Sequence, residues 1–214
     1  DGDIVDFRKD NTSVGSIGAS GGDLVIGTGD TGIHFHDGVD SIMPWNVSAA
    51  SYRDNAIDLG TSTYRYKDAY LSGGVYLGGT GAANKLQDYE TGTWSPTLPN
   101  GGNVVNNNSY YTKIGRQVTV YFYIGITGGI PSNSSSFEVG GLPFAASSGV
   151  NYYHGGSIGY VGAFNSASLG MMLLVRTGST RVYFQRQDGN ATEVLNSNLS
   201  GMNSFIATAH YITS

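Results

Sequence analysis

The stretch AIDLGTSTYRYKDAYLSG, residues 56–73, constrains this chain more than any other feature. Its apolar residues come singly or in pairs, and Gly, Ser, Thr and Asp interrupt every few positions, so it cannot fill a core of its own. The same texture runs through residues 1–88. Helical periodicity is hard to find there; the best candidate, SAASYRD at 48–54, is short. Short strands are predicted instead over 3–8, 13–17, 23–26, 32–36, 41–43, 69–71 and 74–77, bounded by Gly, Asp or Asn. GDLVIGTG at 22–29 is echoed by GVYLGGTG at 74–81, although the spacing is irregular. A strand of this kind has one apolar face and cannot bury it alone. A ribbon so small is marginal as a monomer. Three parallel copies around an axis close each layer on itself, so residues 1–88 are expected to form an elongated, intertwined or stacked trimeric β shaft.

Residues 89–214 read differently. Val118, Val120, Phe122 and Ile124 recur at period two, with Thr119, Tyr121 and Tyr123 on the opposite face. MMLLVR at 171–176 is a continuous apolar run, read as a strand covered on both faces. Further strands are predicted over 136–144, 155–164, 180–187 and 204–213. Six or more strands at regular spacing predict an all-β domain, an antiparallel β-sandwich of jelly-roll type. About 125 residues suffice for its own core.

Charge supports a boundary near Asp88. Residues 1–88 carry 12 acids and 6 bases, a balance of −6, whereas 89–214 carry 4 and 5, a balance of +1. With no Lys/Arg cluster, nucleic acid is not an expected partner. No apolar run approaches the roughly 18 residues of a membrane span, so membrane insertion is not expected. There is no Cys, hence no disulfide and no thiol chemistry. Aromatics reach 12% of residues, which argues against a disordered chain. The first residue is Asp1 rather than Met, which suggests a fragment or a processed product.

Three segments carry a resemblance: GDIVDFRKDNTSVGSIG at 2–18, RDNAIDLGTSTYRYKDAYLSGGVYLGG at 53–79 and NKLQDYETGTWSPTL at 84–98. They resemble bacteriophage tail fibre proteins, in which a D-L-G-(S/T)-x-x-x-R-(F/W/Y)-K-(D/N)-x-Y-L-S-G segment sits in the distal shaft. Here residues 58–73 match it almost without gaps, and YTKIGRQVTV and VGGLPF resemble the family's distal head. The resemblance implies a homotrimer joined to upstream fibre segments of the virion, with a C-terminal tip that touches the host cell. It implies host recognition through a surface polysaccharide or an outer-membrane protein. A polysaccharide depolymerase or deacetylase, or a purely structural fibre segment, are the alternatives. Related fibres often carry a self-cleaving chaperone after this motif; GTWSPTL stands there instead, so no protease chemistry is carried over.

The binding candidates are in segments read as loops of the second half. Tyr152, Tyr153 and His154 lie in a Gly-rich stretch, Asp188 and Asn190 flank a turn, and Tyr110 follows a run of Asn. Tyrosines among Gly, Ser and Asn make a common recognition composition. His34 and His36 share one face of a strand. Repeated about a threefold axis they would offer six imidazoles to an axial transition metal, the one cofactor considered. Against that, Ile33 and Phe35 alternate with them and are expected inward, with the histidines towards water. Trp94 is expected to plug the junction of the halves, and His210 to be a core or interface residue. No catalytic residue is assigned and no enzyme is expected. Glycoside hydrolysis would need a carboxylate pair, for which Glu138 or Glu193 with Asp188 are the only candidates raised.

Overall fold

The computed structural model describes residues 1–149, 154–163, 170–187, 190 and 192–214, with only the backbone of Asn106 and Asn107. It divides into two compact units, Asp1–Tyr70 and Leu71–Ser214.

In the first unit, turn chemistry dictates the topology. Asp10 and Asn11 both take positive φ, as do Gly21 and Gly22, and Gly29 opens the next turn. Paired left-handed residues make the two-residue turns whose twist matches that of flanking antiparallel strands. The strands β1 (Gly2–Lys9), β2 (Thr12–Ser20), β3 (Asp23–Thr28), β4 (Thr31–His36), β5 (Ser41–Asn46) and β6 (Ser51–Tyr52) therefore follow one another in a six-stranded antiparallel meander. Strands were expected over most of these spans. Residues 48–54 are not helical: Asn46 Oδ1 accepts the Ala49 N–H at 2.9 Å, and Ala50 takes φ 49°, which turns the chain into β6. Residues 69–71 form no strand either.

Register sorts the side chains. Val25, His34 and Trp45 are buried on one side of the sheet, where the chain returns over them after β5. A Cβ added to Gly27 or Gly32 would stand 2.7 Å from Val47 Cγ2, so these glycines let the return pack down. On the other side, Val5, Ile17, Ile26 and Ile33 line up across four strands, and Ala19, Leu24, Phe35 and Ile42 make the adjacent row. That side is open: Ile33 is 41% exposed and Ile42 66%. The expected orientation of β4 is thus reversed, with His34 inward and Ile33 outward. Alternation puts residues 33 and 35 opposite 34 and 36, but the return of Val47 and Tyr52 decides which side is covered.

Residues 53–70 hold a turn in which the Thr61 N–H donates to the Tyr64 carbonyl at 2.9 Å and Thr61 Oγ1 accepts the Tyr64 N–H at 2.9 Å. Gly60 supplies the positive φ there, 90°. Around it Leu59, Tyr64, Tyr66 and Tyr70 all stand exposed, Tyr70 to 92%.

The second unit begins with a short hairpin of β7 (Val75–Tyr76) and β8 (Lys85–Leu86). Residues 71–88 belong to it: Lys113 Nζ pairs with Asp88, and the Gly115 N–H donates to the Gln87 carbonyl at 3.2 Å. An eight-stranded antiparallel sheet follows, made of β9 (Tyr89–Thr93), β10 (Asn103–Ile114), β11 (Gln117–Thr127), β12 (Glu138–Gly140), β13 (His154–Gly162), β14 (Met171–Val175), β15 (Arg181–Arg186) and β16 (Ser204–Ile212). Its spatial order is β12-β15-β14-β13-β16-β11-β10-β9. The sheet rolls until its edges meet: Thr97, just past β9, exchanges two backbone hydrogen bonds with Gly140 of β12, at 3.0 and 2.9 Å. Opposed parts of one sheet thereby enclose a core as two packed sheets would, and the expected all-β class is borne out.

Val118, Val120, Phe122 and Ile124 are fully buried in that core with Val139, Val182 and Phe184. Phe122 meets Phe205 edge-on at 5.7 Å, and Trp94 meets Phe122 edge-on at 5.4 Å. The Trp94 indole N–H donates to the Tyr121 carbonyl at 3.2 Å, so its ring belongs to the core of this unit. Two expectations change. Residues 106–111 belong to the long β10 rather than to a loop, because Asn103–Val105 and Asn108–Ile114 pair along β11 on either side of a register shift. Residues 171–175 are covered on one side only: Leu173 and Val175 are buried, while Met172 faces out at 39% exposure.

Candidate functional site

Period two in β11 sends Val118, Val120 and Phe122 inward and must send Thr119, Tyr121 and Tyr123 outward. Directly opposed residues of antiparallel strands share a face, so the partners of these three extend the outer surface. Tyr110 and Thr208 flank Tyr121; Thr112 and His210 flank Thr119; Ile206 flanks Tyr123, and Tyr160 lies beyond it. The Tyr110 and Tyr121 rings stack with centroids 4.7 Å apart and planes 20° from parallel. Tyr110 is 49% exposed. Thr119 Oγ1 and His210 Nδ1 are hydrogen-bonded at 3.0 Å. His210 is accordingly outward and exposed, which corrects the core alternative of its expected place and leaves the interface one. The surface combines flat aromatic faces with hydroxyls and one imidazole, a set able to stack on the apolar face of a sugar ring while hydrogen-bonding its hydroxyls.

Of the residues singled out from sequence, Tyr152, Tyr153 and Asp188 lie outside the described residues, and Asn190 is exposed. His154 is described, and it does not join Tyr110. It opposes the fully buried Val175 and so shares the inner side of the sheet, where burial lowers its pKa below the usual histidine value. Tyr110 instead gains Tyr121, Tyr123, Tyr160 and Thr119, none of which was singled out for binding. The signal was present in the alternation of β11, but reading β10 as a loop hid it.

The glutamates of the second unit are all engaged. Glu138 accepts from Arg181 at 2.7 Å, and Glu90 from the Tyr111 hydroxyl. Glu193 accepts from Ser136 Oγ and, at 2.5 Å, from Arg176. The Ser136 hydrogen bond, then that of Arg176, holds the Glu193 carboxyl below its usual range. Arg176 in turn lies over the Tyr183 ring, 4.1 Å from its centroid. A general acid needs a raised carboxyl pKa, and Glu193 is shifted the other way.

In the first unit, His34 is buried beneath its own chain's rings. Its imidazole centroid is 4.7 Å from that of Trp45 and 5.3 Å from that of Tyr52. Asp23 Oδ2 lies 3.3 Å from His34 Nε2 and 3.6 Å from His36 Nδ1. The Asp23 carboxyl is held below its usual range: burial works to raise it, and the backbone amide and side chain of Asp37, then the two imidazoles, outweigh that.

No family model matches this chain, and no curated protein matches it. Among solved structures it is similar to the Dettilon tailspike protein gp208, with a TM-score of 0.46 and 17% sequence identity. The match covers 58% of this chain and 23% of the tailspike. The matched part therefore spans under a quarter of that protein's length.

Proposed function

We propose that this chain is a phage tail protein of the tail-fibre kind, working as a homotrimer on the virion, joined to upstream fibre segments and binding the host surface. The ligand class is a cell-surface glycan, with an outer-membrane protein as the other candidate. The resemblance of residues 53–79 and 84–98 to tail fibres supplies the class. The observation that carries the binding role is the outward-facing stack of exposed Tyr110 on half-buried Tyr121 within a row of outward threonines. Stacking tyrosines contribute about 0.5–1.5 kcal/mol per aromatic contact beyond area burial. Three copies on one axis turn weak contacts into avidity. The open apolar rows of the first unit support assembly, since such a surface is what another copy of the chain would cover.

The test is adsorption of the purified chain to host cells and its ability to block phage adsorption. The double variant Tyr110→Ala, Tyr121→Ala is expected to lose most of both while its strand content by circular dichroism is unchanged. Full adsorption by that variant would refute this assignment of the surface. Release of reducing ends or acetate from host polysaccharide by the pure protein would establish the enzymatic alternative instead.

A further inference from the structure

The covered side of the first unit carries a cluster that the binding role does not use. Asp23 opens β3, His36 ends β4, and Asp37 starts the 3-10 turn that follows. One ligand-type atom from each lies within 4.8 Å of the other two. Two carboxylates and an imidazole would not by themselves make a site. His34 is the second, independent observation. It is 3% exposed, its Nε2 is directed at Asp23 Oδ2, and neither ring nitrogen has a hydrogen-bond partner. His36 Nδ1 is likewise buried without a hydrogen bond. So is the hydroxyl of Ser41, which opposes His36 across the β4–β5 pair. Buried polar atoms in native proteins nearly always have partners, so a group of such atoms beside two carboxylates is suited to hold a small polar ligand, an ion or water.

We propose that Asp23, His36 and Asp37, with His34 Nε2 as the buried fourth donor, bind one first-row divalent transition ion per chain, with zinc as the representative. Mixed imidazole and carboxylate donors suit such ions. Bonds of about 2.0–2.2 Å require the donors to draw together from their present spacing. Bound metal would tie the start of β3 to the end of β4. This arrangement lies within one chain. It differs from an axial cage of six imidazoles, because His34 is already enclosed by Trp45 and Tyr52 of its own chain.

Stoichiometry tests it directly. The full chain, stripped with chelator, is titrated with zinc alone against a chromophoric competitor, and the imidazole resonances are followed by NMR. One zinc per chain is expected, with shifts at His34 and His36 and none at His154 or His210. His36→Gln and Asp37→Asn each weaken binding about tenfold or more, while His210→Gln leaves it unchanged. One zinc per three chains would overturn the proposal in favour of an axial site. Absence of saturable binding would overturn it outright, as would equal weakening by His210→Gln. The NMR arm needs no variant, so a misfolded mutant cannot decide the outcome.

Discussion

The strongest quantitative consequence concerns the open apolar rows of the first unit. Val5, Leu24, Ile26, Ile33 and Ile42 keep between 36% and 66% of their surface in water. Full burial of such a side chain is worth about 1.5–3 kcal/mol, so covering what remains contributes about 1 kcal/mol per residue and roughly 5 kcal/mol per chain. Ile26 and Ile33 are direct cross-strand partners in the middle of this surface. Replacing both with Asp removes about 2 kcal/mol of that gain per chain. Covering the new carboxylates adds a desolvation cost of about several kcal/mol per ion. Summed over three chains the penalty exceeds roughly 10 kcal/mol and outweighs the gain from association. In an isolated chain both positions are already wet, so the fold of the unit itself should survive. Sedimentation equilibrium at micromolar concentration is the assay. The parent chain should show three times its 22.5 kDa mass, and the double variant should fall towards the mass of one chain with unchanged circular dichroism. A parent chain that sediments at 22.5 kDa, or a double variant that stays trimeric, would refute the reasoning.

Two further outcomes follow from local geometry. Gly32→Ala would place a Cβ 2.7 Å from Val47 Cγ2 and 2.8 Å from the Ile26 carbonyl oxygen, and should destabilise the first unit by about 1–3 kcal/mol in chemical unfolding; an unchanged midpoint would show that the return of Val47 is loose. For Glu193, the native carboxyl titrates below its ordinary value of 4.5, so its contribution to stability is complete above 4.5 and is lost as pH falls from there through the lower native value. Glu193→Gln should flatten the acid limb of stability in that window and leave the rest of the profile unchanged; an unaltered acid limb would mean that the Ser136 and Arg176 contacts do not hold the carboxyl in solution.

Much of the second unit was legible because its signals are local. Residues 118–124 alternate without a break, and alternation is what a half-buried strand requires. The turn residues of the first unit likewise announced its hairpins. Legibility failed where a local pattern has two readings. Residues 106–111, NNNSYY, have the composition of a loop, yet a long partner strand recruits them into β10 and places Tyr110 on a strand face. The apolar run at 171–175 has the composition of a strand covered twice, but Met172 faces out because the rolled sheet has an inside and an outside.

What the sequence by itself determined is the all-β class and the short-range alternation, since both follow from period two and from residues that tolerate positive φ. Tertiary structure alone decided which side of each strand is covered and which distant residues meet. His34 turned inward because Val47 returns over Gly27 and Gly32 and Tyr52 stacks on the imidazole. Tyr110 met Tyr121, and Asp23 met His34, His36 and Asp37, because register joined their strands. A strand carries its own period but not the identity of the surface that will cover it, and that depends on chain far away in sequence.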